Sequence, residues 1–211
     1  ITLSSSTVAN PTVNIAGGGA GTATYTVTVT NGACIKTDQV VVTIGPVDAN
    51  AGADNSVCPG SGIAIGGAPT GPAGSTYSWS CTSNCDPDVT LSSATTSNPT
   101  LSVAGTQTTA ISPVYTVTVT LGSCAPVTNS VTITVNAKPA TPAATASASP
   151  ICAGAGVTLT GPGAAGVTYS WWSAFSGGTN LGAGNTLSVT PLATTTYFLQ
   201  SADNTTGCVS D

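Results

Sequence analysis

Seven cysteines are the residues of this 211-residue chain with the most evident chemistry, and they lie at positions 34, 58, 81, 85, 124, 152 and 208. Cysteines serve as metal ligands, as reactive thiols or as halves of disulfides. The chain has no histidine and no two-residue CxxC spacing, whereas a zinc site needs four converging thiolates or imidazoles. We therefore interpret the cysteines as a disulfide framework, typical of an oxidising compartment outside the cytoplasm, with a free reactive thiol as the alternative.

An internal repeat organises the chain. ITLSSSTVANPTVNIAG at Ile1–Gly17 returns as VTLSSATTSNPTLSVAG at Val89–Gly105, an offset of 88 residues. TYTVTVTNGAC, ending at Cys34, is matched by VYTVTVTLGSC, ending at Cys124, an offset of 90. The first copy lacks its front half and the last stops before its final strand, so we expect a window cut from a longer tandem array.

Position within the repeat predicts which cysteines pair. Cys58 opens the complete unit and Cys124 closes one of its strands, while Cys152 and Cys208 hold the matching places in the next unit. The predicted disulfides are Cys58 with Cys124 and Cys152 with Cys208, and Cys34 has its expected partner in the missing front half. Each of these long-loop bridges should stabilise its unit by roughly 2 to 4 kcal/mol.

The segment CTSNCDPD offers a second kind of chemistry. Cys81 and Cys85 have no counterpart in the last unit and are predicted to close a local disulfide loop. Asp86 and Asp88 form a close acidic pair that could ligate calcium together with Asn84. Calcium takes six to eight oxygen ligands, and the EF-hand spacing is absent. A solvated turn is the alternative interpretation.

Further acidic and amide side chains lie at the first linker, where Asp48 and Asp54, with Asn50 and Asn55, are a weak calcium candidate. Hydrolytic catalysis would need a nucleophile with a base, or paired carboxylates, and no histidine is present to serve as the base. We predict no catalytic residue and no cofactor, so the chain is not expected to be an enzyme.

Charge excludes several classes of partner. The chain has two lysines, Lys36 and Lys138, no arginine and a net charge of −5, so neither nucleic acid nor an anionic membrane surface is a suitable partner. No apolar run approaches the ~20 residues of a membrane helix, and direct membrane insertion is not expected. Only 4% of residues are charged, and a hydroxyl-rich surface with little repulsion favours lateral association between copies.

Alternating residues predict antiparallel strands at Tyr25–Val29 and Tyr115–Val119. Several shorter runs of the same kind are separated by Gly, Pro, Asn and Ser clusters. We predict an all-β chain of immunoglobulin-like (Ig-like) sandwiches arranged end to end: residues 1–45 are the C-terminal part of a truncated repeat, 47–136 a complete repeat, and 138–211 a repeat without its last strand. Seven strands are predicted in the complete repeat, near Ser56, Ile63, Tyr77, Leu91, Leu101, Tyr115 and Ile133.

Tryptophans mark the third strand of two units. Trp79 in STYSWS and Trp171 in VTYSWWS occupy the usual place of a core tryptophan in such sandwiches. Because neighbours on a strand face opposite ways, only one of Trp171 and Trp172 can be buried. Trp172 is therefore a candidate ligand contact, with rim packing or an interdomain contact as the alternative.

The whole chain resembles the Ig-like and PKD-like repeats of very large surface proteins of Bacteroidota. The resemblance is carried by AGADNSVCPGSGIAIGG, STYSWS and YTVTVTLGSC, and by PATPAATASASPICAGAGVTLTG with GNTLSVTPLATTTYFLQS. It implies type IX secretion, display at the cell surface, and a role in adhesion or gliding-motility filaments. We expect a non-catalytic stalk segment whose partners are adjacent repeats and lateral copies in a fibre; the alternative is a module that binds carbohydrate or protein.

Overall fold

The computed structural model describes residues 1–14, 21–122 and 124–211, so residues 15–20 of the first predicted unit and Ser123 lie outside the description. Regular structure in the described residues is entirely β. The strands are β1 (Thr2–Leu3), β2 (Val13–Asn14), β3 (Gly21–Asn31), β4 (Cys34–Ile44), β5 (Asn55–Val57), β6 (Gly62–Ala64), β7 (Thr76–Ser83), β8 (Val89–Leu91), β9 (Thr100–Val103), β10 (Val114–Thr120), β11 (Val127–Val135), β12 (Thr145–Ala146), β13 (Val157–Thr160), β14 (Val167–Trp172), β15 (Asn180–Ala183), β16 (Thr186–Val189) and β17 (Phe198–Asp203).

We use the predicted boundaries to name three parts: the N-terminal segment (1–45), the middle unit (47–136) and the C-terminal unit (138–211). The middle unit contains strands β5 to β11, one at each of the seven predicted positions. They form a four-stranded sheet in the order β5-β11-β10-β7 and a three-stranded sheet in the order β6-β9-β8. This arrangement confirms the predicted all-β, Ig-like sandwich.

Side-chain alternation places the core of the middle unit between its two sheets. On β10, Tyr115, Val117 and Val119 are buried and the intervening threonines are not, because successive side chains on a strand face opposite sides. On β7, Trp79 is buried as predicted, and its indole N–H donates to the Thr96 carbonyl at 3.0 Å. The predicted strands thus supply the packed interior.

The C-terminal unit repeats this plan with a smaller core. Its sheets have the orders β12-β13-β16 and β15-β14-β17. Tyr169, Trp171 and Leu199 form the buried cluster, and the Trp171 indole N–H donates to the Gly184 carbonyl at 3.1 Å. After β17 the chain turns back, and Val209 forms an isolated antiparallel bridge with Ala202.

The N-terminal segment exposes an apolar face. Its long hairpin pairs Tyr25 on β3 with Val40 on β4, as β10 and β11 pair in the middle unit. Val27 is 55% exposed, whereas its counterpart Val117 is fully buried against the second sheet. Among the described residues, the hairpin therefore has the alternation of a buried strand pair while Val27 and Val40 remain exposed.

In residues 1–14, 21–122 and 124–211, no helix has the length and apolar character that crossing a bilayer requires.

Candidate functional site

Two strands of the middle unit end together at the junction with the C-terminal unit. The short edge strand β5 pairs with β11 in parallel, with Val57 opposite Val135. The Asn136 amide, one residue beyond β11, donates to the Val57 carbonyl at 3.0 Å. Because parallel strands end at the same edge, Cys58 lies where the chain leaves the middle unit.

On the other side of the junction, a capped turn after β17 positions Cys208. The Asp203 carboxylate accepts hydrogen bonds from the amides of Thr206 and Thr205, at 2.8 and 2.9 Å, and from the Thr206 hydroxyl at 3.0 Å. These bonds, the Thr206 amide first, lower the pKa of Asp203 below its ordinary value of 3.8, because they stabilise the charged form. The turn closes when the Asp203 amide donates to the Cys208 carbonyl at 2.9 Å.

Cys58 and Cys208 form a disulfide that joins the middle and C-terminal units across 150 residues of sequence. The predicted pairing of Cys58 with Cys124 is therefore wrong. Cys124 lies in the turn that precedes β11, and the nine residues of that strand separate it from the junction. At about 3.3 Å per residue the two cysteines are roughly 25 Å apart or more, whereas a disulfide joins Cα atoms about 4 to 7 Å apart.

The predicted pairing of Cys152 with Cys208 is wrong for the same kind of reason. Cys152 precedes β13, at the end of the sandwich where the Gly154 amide donates to the Pro191 carbonyl at 2.9 Å. Cys208 lies at the opposite end, where Asp203 pairs with Val167 at the start of β14. Cys152 is free and exposed in the structure, as are Cys34 and Cys124.

The second disulfide is local. Cys81 and Cys85 are joined, with their Cα atoms 5.8 Å apart, and close the loop that leads out of β7.

The linker between the two units is held on both sides. The Lys138 amide donates to the Gln107 carbonyl at 3.2 Å, and its ammonium group donates to the Gly105 carbonyl at 2.8 Å. The same ammonium group forms an ion pair with Asp211. On the C-terminal side, the Ser201 hydroxyl donates to the Ala140 carbonyl at 3.2 Å. Two of these contacts, from Lys138 to Gln107 and to Gly105, join the two units beside the disulfide. The other two hold the first residues of the C-terminal unit against its later part.

Trp172 lies in an aromatic groove of about 660 Å³ on the C-terminal unit. It is half-buried, and its indole N–H is buried without an acceptor among the described residues. Trp172 pairs with Phe198 across β14 and β17. The Phe198 ring contacts Phe175 edge to face at 6.0 Å, and Phe175 is 70% exposed. The groove offers the faces of aromatic rings, which suits a ligand with an apolar face.

The acidic pair after the local disulfide acts as a turn. One Asp86 carboxylate oxygen accepts from the Asp88 amide at 2.8 Å. Asn84 does not join the carboxylates through its nitrogen, which donates to the Ser112 carbonyl at 3.1 Å. These bonds fit the solvated-turn interpretation of the segment.

The first-linker acids also accept backbone hydrogen bonds. Asp48 accepts from the Ala49 amide at 2.9 Å, and Asp54 accepts from the Thr132 amide at 2.7 Å. Across the described ranges, no group of three or more His, Cys, Asp or Glu side chains comes together as a set of metal ligands. The contacts that the structure gives Asp48 and Asp54 are thus backbone hydrogen bonds.

Comparison with known proteins adds a family match for the part that contains the groove and Cys208. The model of the family described as "Ig-like domain CHU_C associated" matches residues 139–211. The fold is Ig-like. No curated protein matches the chain at a significant level.

Solved structures share limited similarity with the chain. A nucleoside hydrolase-related hypothetical protein from Saccharophagus degradans is 17% identical over 40% of this chain and 21% of its own length, with a TM-score of 0.29. The chicken CNTN1 FN1-FN3 domains are 10% identical over 89% of this chain and 72% of their own, with a TM-score of 0.35. The amphioxus IgVJ-C2 molecule is 12% identical over 71% of this chain and 93% of its own length, with a TM-score of 0.26. Because all three TM-scores lie below 0.5, none of these similarities bears on function. This chain spans about a fifth of the length of the first of these proteins.

Proposed function

We propose that this chain is a non-catalytic segment of a long extracellular stalk or filament, built from Ig-like units that are locked to their neighbours. The observation that carries this proposal is the disulfide between Cys58 and Cys208, which joins two units instead of stapling one. A single binding module needs no covalent bond to the next unit. An element that transmits tension benefits from one.

The mechanical consequence follows from where the bond lies. Tension applied to the two chain ends passes from Cys58 directly to Cys208 and bypasses the residues between them. Most of the middle and C-terminal units lie inside this closed loop, including the buried cluster of the C-terminal unit and all but Ala51 and Val57 of the middle unit's buried cluster. The units can therefore lose structure without lengthening the segment, as long as the disulfide is intact.

Two further features support an extracellular setting. Disulfides persist in oxidising compartments, and the structure contains two. The sequence resemblance to repeats of Bacteroidota surface proteins agrees with a secreted adhesin or gliding filament exported by the type IX route. The charge content of 4% favours lateral association into a fibre, because few charges keep neighbouring copies apart.

Single-molecule pulling from the two chain termini tests the mechanical proposal. In the oxidised protein, we expect no extension from residues 59–207. After reduction, the releasable length should increase by roughly 500 Å, since 150 residues are freed at about 3.5 Å each. Unfolding of both units to full length in the oxidised protein would contradict the proposal.

A second candidate function is supported by the aromatic groove, whose buried Trp172 N–H has no acceptor among the described residues. Such a groove suits the face of a sugar ring or an apolar side chain of a protein partner. Binding to a glycan array should weaken at least tenfold in Trp172→Ala. The matched control is Leu192→Ala, which removes an 81% exposed side chain outside the groove. Equal binding by both variants, or none by the wild type, would exclude glycan recognition by this groove.

A further inference from the structure

The two halves of the junction disulfide differ in burial. Cys208 is 1% exposed, whereas Cys58 is partly exposed. Thiol–disulfide exchange begins when an external thiolate attacks one sulfur of the bond, and its rate depends on access to that sulfur. The burial of Cys208 therefore directs the attack of an external thiol to Cys58.

The capped turn after β17 lies against the disulfide. Its Thr206, whose amide and hydroxyl both donate to the Asp203 carboxylate, places its carbonyl oxygen 3.9 Å from the Cys58 sulfur. The Thr206 hydroxyl oxygen also accepts from the Cys208 amide at 3.3 Å. The Gly207 amide donates to the Asp203 carbonyl at 2.9 Å. The Asp203 carboxylate thus holds the residues that border the bond on the side of Cys208.

Hydrogen bonds on the far side of Cys208 fix it independently of the disulfide. The Ser210 amide donates to the Ser201 carbonyl at 2.8 Å, and the Ser201 amide donates to the Ser210 hydroxyl at 3.0 Å. Both serines are 3% exposed, so water competes little for these bonds. The backbone of Cys208 therefore stays in place when the sulfur–sulfur bond is opened.

Cys58 is fixed to the middle unit in the same way. Its carbonyl accepts from the Ser61 amide at 3.2 Å, and the Gly60 amide donates to the Val103 carbonyl at 3.1 Å. The bonds from Lys138 to Gln107 and Gly105 keep the two units together. Without tension, the two sulfurs of an opened bond therefore remain close to each other.

We propose that the junction disulfide is a site of reversible exchange with small thiols, which open the bond by attack on Cys58. The capped turn keeps Cys208 in place to close the bond again. This inference rests on the proposed lock between the units and adds the reaction that releases it. Under tension the opened units separate and Cys208 leaves Cys58, so a thiol converts the locked segment into an extensible one.

The exchange needs no reactant besides the thiol. The thiolate of glutathione attacks the Cys58 sulfur, forms a mixed disulfide with it and releases the Cys208 thiolate, which takes up a proton from water. One disulfide is replaced by another, so this step involves no net oxidation or reduction. In the reverse step, the Cys208 thiolate attacks the Cys58 sulfur and expels glutathione.

Trapping of the mixed disulfide in the folded protein tests the proposal. The free and exposed cysteines, Cys34, Cys124 and Cys152, are first alkylated without denaturant. The protein is then treated with glutathione, quenched with acid and mapped by mass spectrometry. Glutathione should be found on Cys58 about tenfold more often than on Cys208, because access decides which sulfur is attacked. Adducts on Cys85, which is exposed, show that glutathione is active under the same conditions.

The Asp203→Ala variant tests the role of the capped turn. Loss of the carboxylate should raise the share of adducts on Cys208 several-fold and slow the closure of the bond after glutathione is removed. The matched control is Asp48→Ala, which removes the acceptor of one backbone amide at the first linker and should retain the wild-type distribution. A capped turn that only stabilised the fold would leave the distribution between the two sulfurs unchanged, and this result would overturn the role of Asp203.

Equal or larger amounts of adduct on Cys208 in the wild type, or opening of the bond only in denaturant, would overturn the proposal. The peptide that joins Cys58 to Cys208 before glutathione is added shows in each variant that the junction has formed, so a folding failure is recognised directly. The pulling experiment on the oxidised chain does not depend on which sulfur reacts. Failure of the exchange proposal is therefore distinguishable from failure of the mechanical proposal.

Discussion

Val57 lies opposite Val135 in a parallel pair of strands, and this pairing determines which cysteines can meet. Had β5 run antiparallel to β11, its C-terminal end would have pointed toward the β10–β11 turn, on the side of Cys124. The parallel direction instead places Cys58 at the junction, beside the next unit. A three-residue edge strand thus changes a bond within one unit into a bond between two.

Loss of the junction disulfide should destabilise the protein. Cys208→Ser should lower the free energy of unfolding by about 2 to 4 kcal/mol, because the bond restricts the unfolded chain over a long loop. Chemical denaturation under non-reducing conditions measures this change. The matched control is Cys124→Ser, which changes a free, exposed cysteine and should leave the unfolding curve unchanged. Equal losses in both variants would count against the observed pairing.

Truncation of the two adjacent tryptophans of β14 should lower stability by very different amounts. Trp171→Ala should lower the free energy of unfolding by about 3 to 5 kcal/mol, because Trp171 is only 1% exposed and its loss leaves a cavity in the core. It also leaves the Gly184 carbonyl without its indole donor. Trp172→Ala should cost clearly less, because its side chain is half-buried. Urea denaturation of the two variants provides the comparison, and a larger loss for Trp172 would contradict the assigned core.

The buried phenol of Tyr115 should make stability depend on alkaline pH. Burial, followed by the nearby Asp86 carboxylate, raises the pKa of Tyr115 above its ordinary value of 10.0. The unfolded chain therefore releases this proton at a lower pH than the folded protein does. The associated stability is complete below about pH 10 and is lost as pH rises through the folded pKa.

Tyr115→Phe isolates this contribution. At neutral pH the variant should lose about 1 kcal/mol, because the Val89 carbonyl no longer receives the hydroxyl hydrogen bond of 3.2 Å. Above pH 10 its stability should decline less steeply than that of the wild type. Denaturation curves of both proteins between pH 7 and 11 test both statements. If the stability of the two proteins declined in parallel, Tyr115 would not contribute to the pH dependence.

Gly66 lies where a side chain has no room. It has a φ of +103°, and an added Cβ would be 2.5 Å from the Ser97 carbonyl oxygen and 2.7 Å from the buried Thr70 hydroxyl. Gly74 has a similar φ of +84°, but the nearest atom to its added Cβ is 3.7 Å away. The free energy of unfolding should therefore fall by about 1 to 3 kcal/mol more in Gly66→Ala than in Gly74→Ala, because the added methyl group overpacks the site. Similar thermal melting of the two variants would show that the loop relaxes around the methyl group.

Strand positions in the middle unit could be predicted because the residues alternate with a period of two. Tyr115, Val117 and Val119 face the core with threonines between them, and the structure buries this face. The burial of Trp79 and Trp171 was predicted from their place on the third strand of an Ig-like sandwich, and alternation indicated that only one of Trp171 and Trp172 could be buried. Local patterns were sufficient for these features, since each depends on a few neighbouring residues.

Cysteine pairing could not be predicted in this way. The repeat shows which cysteines are equivalent, such as Cys124 and Cys34, but it does not show the direction in which an edge strand pairs. That direction places Cys58 beside a neighbouring unit. The groove was only partly predictable, because Phe175 and Phe198 are far apart in sequence and meet through the pairing of β14 with β17.

The most direct test of the disulfide between the two units is disulfide mapping of the unreduced protein by mass spectrometry of peptic fragments. We expect a fragment that joins Cys58 to Cys208, together with unpaired Cys124 and Cys152. Fragments that join Cys58 to Cys124 and Cys152 to Cys208 would show that each disulfide staples a single unit, and would contradict a covalent lock between units.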